Sequence, residues 1–231
     1  MREIVLDTET TGFEPAEGHR IVEIGAVELL NHVPTGRTYH QYINPDRTMP
    51  KEAFEVHGLG DDFLADKPRF GQVGQAFLDF IGADAKLVIH NASFDMKFLN
   101  AELGWAGLSQ IPNDRAIDTL LIARRKYPGS PASLDALCRR FGIDNSMREK
   151  HGALLDSEIL AEVYLELIGG RQPDFGLSAG HGHDAGGGGS DDWRPRPRPA
   201  PLPPRITEAE AESHAAFIAT LGEDAVWKRY G

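Results

Sequence analysis

The chain has 231 residues, 41% of them hydrophobic, enough for one sizeable core with appendages. Its formal net charge of -11 excludes a protein that grips nucleic acid through a broad basic surface, so a nucleic-acid partner would need bound metal or a tether. The single cysteine, Cys138, excludes an internal disulfide. The acidic start MREIVLDTET is unlike a signal peptide and no apolar run of about 18 residues follows, so a soluble, cytoplasmic protein is expected.

In chain order, EIVLDTE and RIVEIGAVELL are rich in β-branched residues and read as strands separated by the turn material TTGFEPAEGH. TYHQYINP closes a three-strand meander. VGQAFLDFIG carries Val73, Phe77, Phe80 and Ile81 at helical spacing. KLVIHNA is a short buried-type strand, FDMKFLNAELG a helix ending at Gly104, and RAIDTLLIARR starts as a strand and turns helical. SLDALCRRFG and LLDSEILAEVYLELIGG are helices stopped by glycine, and Cys138 reads as a buried thiol in the first of them. Strands first, then alternating β and α units, indicate an α/β domain with a mixed sheet over residues 1–170.

The composition changes at Gly169. Residues 171–205 contain seven prolines and the stretches GHGHDAGGGGSDDW and RPRPRPAPLPPR, which cannot bury enough apolar surface to offset their ordering entropy, so a disordered linker is expected. His181, His183 and Asp184 have ligand chemistry, but a glycine-rich setting gives them nothing to hold a metal geometry. Beyond the linker, Thr207 and Glu210 form a capping-box pattern, and His214, Phe217, Ile218 and Leu221 share one face of a short helix before Gly222. With Trp227 and Tyr230 after it, this tail over residues 206–231 either packs on the main domain or docks on a partner; the long polar linker favours the partner.

IVLDTETTG ends a core strand in Asp7 and Glu9, which stand about 7 Å apart on one side and repel each other unless a cation joins them. Solvated strand-end acids are the plain alternative. In HNASFD, Asp95 falls where a strand hands over to a helix, as a helix cap or as a third carboxylate aimed over the strand end. In HGALLD, His151 and Asp156 are separated by about 140° if both are helical, so His151 belongs on the loop before the helix. Asp156 precedes the apolar positions Ile159, Leu160 and Val163, so its helix carries it toward the sheet. Four hard carboxylates suit Mg²⁺ or Mn²⁺ rather than zinc. Two such ions about 4 Å apart clamp a phosphodiester for in-line attack, with a histidine suited to take the proton of the attacking water.

DTETTG, HNASFD and HGALLD resemble the three exonuclease motifs of the DEDDh family, with histidine rather than tyrosine in the last. The likeness runs through SLDALCRRFGIDNS to ILAEVYLELIGG and covers about residues 1–170. Within that family the chain is similar to the proofreading 3′→5′ exonuclease subunits of bacterial replicative DNA polymerases. The resemblance implies an RNase H-like mixed five-stranded sheet flanked by helices. It implies Asp7, Glu9, Asp95 and Asp156 as ligands of two divalent cations, and His151 as general base. Asp7, Glu9 and Asp156 would also face the substrate, a single-stranded or frayed 3′ end of DNA.

By the same resemblance, EAFEVHGL lines the pocket for the terminal nucleotide through Glu52 and His57, and Phe94 wedges against the end base. From the residues alone, Glu52 and His57 are ordinary surface positions of a loop and Phe94 fills the core. Family members also carry a sliding-clamp motif, here Gln172, Phe175 and Leu177 in QPDFGL, and a tail that binds the polymerase catalytic subunit, here residues 206–231. A small stabilising subunit is a further implied partner. Two other readings are a free-standing nuclease trimming RNA or oligonucleotides, and a catalytically silent replisome tether. The linker and tail count against the first, and the five intact active-site positions against the second.

Overall fold

The computed structural model describes residues 1–146, 150–169 and 206–221. The chain divides into two units, Met1–Leu177 and Ser178–Gly231. In the first, strands β1 (Arg2–Thr10), β2 (Ile21–Leu30) and β3 (Val33–Tyr42) form the expected antiparallel meander. β3 starts at Val33 rather than Thr38 and runs through Pro34 and Gly36, residues a strand tolerates when, as here, it lies at a sheet edge.

Three helices follow: α1 (Lys51–His57), α2 (Asp61–Leu64) and α3 (Phe70–Ile81). The EAFEVHGL stretch, a loop from its residues alone, is thus helical. At fewer than two full turns, α1 is too short to show a hydrophobic period, and Gly58 closes it in the left-handed conformation at φ 77°. Then come β4 (Lys86–Ile89), α4 (Ala92–Trp105), β5 (Ala116–Asp118), α5 (Thr119–Lys126), α6 (Leu134–Phe141) and α7 (Ala153–Leu167). α4 passes through Gly104 and ends one residue later, at Trp105.

The five strands lie in the order β3-β2-β1-β4-β5, with β1 parallel to β4 and antiparallel to β2. β1 is therefore central, and its alternating side chains feed two cores. Ile4 and Leu6 join Ile24, Phe77, Phe98 and Leu99 under α3 and α4. Val5 joins Val27, Val88, Leu137, Leu160 and Val163 under α6 and α7, where Cys138 is also buried. Each of these large side chains contributes roughly 1.5–3 kcal/mol by leaving water. A smaller cluster of Val22, Met49 and Leu64 seats α1 and α2 against the β2–β3 side.

The second unit contains α8 (Glu208–Thr220), started by the expected reciprocal cap in which Thr207 Oγ1 accepts from Glu210 N and Glu210 Oε2 accepts from Thr207 N. None of its residues is buried. Among the described residues, no helix is long and apolar enough to cross a membrane. The linker over 171–205, including Gln172, Phe175, Leu177, His181, His183 and Asp184, lies outside the described residues, as do Gly222, Trp227 and Tyr230.

Candidate active site

The site forms at the carboxyl end of β1, where both layers reach the same strand. Asp7 and Glu9 alternate with the core residues of β1 and share the side that carries Val5, beneath α7. Directly opposite Asp7 on β2 is Gly25, and a Cβ built there would lie 2.1 Å from the backbone nitrogen of Leu154. The first turn of α7 can touch β2 this closely because Gly25 has no side chain. Ser157 Oγ fastens the contact, lying 2.9 Å from Gly25 O and 2.7 Å from Ala153 O.

This seating brings Asp156 to the strand. Glu9, His151 and Asp156 each offer a ligand atom, all within 4.8 Å of one another. His151 lies just before α7, as its spacing from Asp156 required, with its Nδ1 3.3 Å from Asp156 Oδ2. Its backbone N–H donates to Val56 O at 3.3 Å, which ties the histidine loop to α1. The ring is half exposed while Asp156 is buried. Asp7 lines a cavity of about 450 Å³ together with His151 and Asp156.

Asp95 arrives from the other layer. It sits in the first turn of α4, whose cap is the left-handed Asn91, so Asp95 does not cap the helix itself. Its carboxyl is buried and accepts a hydrogen bond from Thr8 Oγ1 at 2.7 Å. Thr8 points to the opposite side of β1 from Asp7 and Glu9, so Asp95 stands outside the close Glu9–His151–Asp156 group. Burial pushes the Asp95 carboxyl up to about 7, against the lowering effect of the Thr8 hydrogen bond. A cation beside it would reverse that balance. Oxygen donors from four carboxylates, with one histidine at the rim, fit a hard divalent ion.

His57 ends α1 as a buried residue. Its Nδ1 accepts from Leu59 N at 3.0 Å, which puts the proton on Nε2. That Nε2–H is turned toward the Thr10 backbone without an aligned hydrogen bond and has no hydrogen-bond partner among the described residues. Burial holds the ring below the ordinary histidine range, hence neutral at pH 7. Glu52 is exposed in the first turn of α1. Phe94 is half-buried against Phe98, with ring centroids 5.1 Å apart, and packs on the core under α4.

Four positioning residues escaped the sequence reading. Thr8 orients Asp95, and Gly25 admits α7. Asp118 accepts from Asn91 N, Ala92 N, Leu120 N and Leu121 N, joining the starts of α4 and α5. His90, with Nδ1 2.9 Å from Thr119 Oγ1, forms part of the cavity wall. Of these only Gly25 left a signal, a glycine inside an otherwise apolar strand.

The model of the family described as Exonuclease matches residues 4–164. The chain belongs to the exonuclease family. Two relatives of this exonuclease are both named DNA polymerase III subunit epsilon. The protein from Rickettsia felis is 57% identical over 178 residues, covering 76% of this chain and 77% of the relative. The protein from Escherichia coli K12 is 51% identical over 178 residues, covering 74% and 72%. Among solved structures, the nuclease domain of 3′hExo, a DEDDh family member bound to rAMP, matches with a TM-score of 0.63 at 22% identity, over 72% of this chain and 91% of that one. The five-stranded mixed sheet expected from the DEDDh resemblance is therefore the fold of this exonuclease.

Proposed function

We propose that the chain is the proofreading 3′→5′ exonuclease subunit of a cytoplasmic replicative DNA polymerase, which removes mispaired 3′-terminal nucleotides as 5′-mononucleotides. The observation that carries this reading is the meeting of Glu9, Asp156 and His151 within 4.8 Å beside Asp7. It occurs in a chain 57% identical to a protein named DNA polymerase III subunit epsilon. Two divalent cations, Mg²⁺ or Mn²⁺, held by Asp7, Glu9, Asp95 and Asp156 would supply charge stabilisation at the scissile phosphate and lower the pKa of the attacking water. His151 does the proton work. With Nδ1 turned to Asp156, Nε2 takes the proton of the water as its oxygen attacks phosphorus and the O3′ of the penultimate nucleotide leaves. The rim placement of His151 lets the ring exchange that proton with solvent.

His57, Glu52 and Phe94 form the terminal-nucleotide pocket in this reading. The buried Nε2–H of His57 lies beyond Glu9, beside Thr10, as a donor in want of an acceptor. Phe94 offers a ring edge from the first turn of α4. Residues 206–231 dock on the polymerase catalytic subunit, a role supported by the exposed Phe217 and Leu221 of the second unit. Gln172, Phe175 and Leu177 engage the sliding clamp, and a small stabilising subunit completes the assembly.

The test is release of 5′-mononucleotides from a mispaired primer end with Mg²⁺ or Mn²⁺. Replacing Asp7, Glu9, Asp95 or Asp156 by alanine should abolish release without unfolding the domain, while His151→Ala should lose about 10²–10⁴ in rate and keep metal binding. Deleting residues 206–231 should leave hydrolysis of free single strands intact and remove stimulation by the polymerase subunit. A carboxylate variant with near wild-type rate at saturating Mn²⁺ would disprove the assignment of that residue.

A further inference from the structure

The sheet order gives the substrate a direction across the site. α1, with His57 and Val56, is seated on the β2–β3 side, the catalytic carboxylates lie on the central β1, and β4 and β5 lie beyond them. The argument rests on the proofreading reading above, in which the terminal nucleotide occupies the α1 side. A strand with its scissile phosphate at Asp7 and Asp156 must then continue over β4 and β5. The cavity of about 450 Å³ is found on that side, lined by Asp7 and Asp156 and, from α5 and α6, by Leu120, Arg124 and Leu134. Its volume is in the range of a site for one small ligand unit.

Leu120 and Arg124 are one turn apart on α5 and face the cavity together, an apolar contact followed by a cation. Arg124 is exposed and makes no hydrogen bond or ion pair among the described residues. The end of α5 has two other basic residues, Arg125 and Lys126, to complement its carbonyls, so the helix terminus does not require Arg124. A chain with net charge -11 has no general attraction for a phosphate backbone, and a guanidinium placed over the path of the strand supplies it locally.

We propose that Arg124 binds the internucleotide phosphate immediately upstream of the scissile one, and so positions the strand without taking part in bond cleavage. The probe pair is a trinucleotide and the p-nitrophenyl ester of thymidine 5′-phosphate, which carries a scissile phosphate but nothing upstream. For the full chain, Arg124→Ala should lower the ratio of kcat/KM on the trinucleotide to kcat/KM on the ester by roughly tenfold or more, through KM. The salt dependence of the trinucleotide reaction should flatten by about 0.7 in log–log slope, the share of one phosphate contact on a single strand.

A neutral methylphosphonate at the upstream linkage should penalise the wild type and cost the variant nothing further. Two results would overturn the proposal: an equal loss on the ester, which would put Arg124 at the reacting phosphate, or a methylphosphonate penalty undiminished in the variant. No change in the ratio would overturn it equally. If the wild type cleaved neither substrate, the proofreading reading itself would fail and take this proposal with it.

Discussion

Thr8 donates its hydroxyl to Asp95 Oδ1 at 2.7 Å and thereby connects the central strand to the one carboxylate that comes from the α4 layer. The bond favours the ionised form that a cation needs, while burial opposes it. Thr8→Val keeps the shape and removes the donor. The concentration of Mg²⁺ or Mn²⁺ for half-maximal activity should rise by about 10–100-fold, the usual cost of losing a partner behind a metal ligand. An unchanged metal requirement in a titration of activity would show that Thr8 does not orient Asp95.

The raised pKa of Asp95 gives a pH dependence with a definite sign. Its native value of about 7 lies above the ordinary carboxylate value of 3.8, so between these the folded protein keeps a proton that the unfolded chain releases. In metal-free buffer this group therefore makes stability fall as pH rises from about 4 to about 7. Asp95→Asn should remove that component, and a divalent cation should offset it in the wild type alone. Melting temperatures over this range, with chelator and with Mg²⁺, decide the matter; parallel curves for wild type and variant would refute it.

Gly25→Ala should be costly twice over. The new methyl would stand 2.1 Å from Leu154 N and 2.4 Å from Ala153 O, both backbone atoms that cannot swing aside. Displacing the start of α7 should cost about 1–3 kcal/mol of stability. It should also lower kcat on the order of 10²-fold by moving Asp156 and His151 off Glu9. Denaturant melts and single-turnover rates on the same preparation would separate the two, and a fully active variant would mean that Gly25 does not set the position of α7.

Arg20 binds the buried Glu102 through two bonds, Nε to Oε1 at 2.8 Å and Nη2 to Oε2 at 2.7 Å, while its guanidinium lies over the Trp105 ring. Glu102 also accepts from Ile21 N, so the end of α4 is pinned to the start of β2. Arg20→Met leaves a buried carboxylate unpaired and should cost about 3 kcal/mol. Metal affinity should stay at the wild-type level, since Asp95 is held at the other end of α4. Urea unfolding followed by calorimetric metal titration tests both halves; weakened metal binding in the folded variant would show that the pin also governs the site.

The amino-acid order by itself determined the alternation of strands and helices and the identity of the acids. In EIVLDTE, β-branched residues and a period of two specify a strand and also put Asp7 and Glu9 on one side of it. In HGALLD the helical period alone excludes His151 from the face of Asp156 and moves it to the preceding loop. These are local rules acting over a few residues, and the chain obeys them. Short elements escaped because they hold too few residues to show a period: α1 passed for a loop, and β3 ran on through Pro34 because its outer edge is unpaired.

Only the tertiary structure decided which layer each ligand comes from and what holds it there. Asp95 reaches β1 from the α4 side and Asp156 from the α7 side. Nothing in HNASFD or HGALLD specifies that, because it depends on strand order and on the crossover of the chain between layers. The same is true of Gly25 against Leu154 and of Thr8 against Asp95, pairs separated by many residues whose contact follows from register and close packing. The order of residues fixes how each segment folds and which groups it carries. The distances between those groups are set when two cores close on opposite faces of one strand.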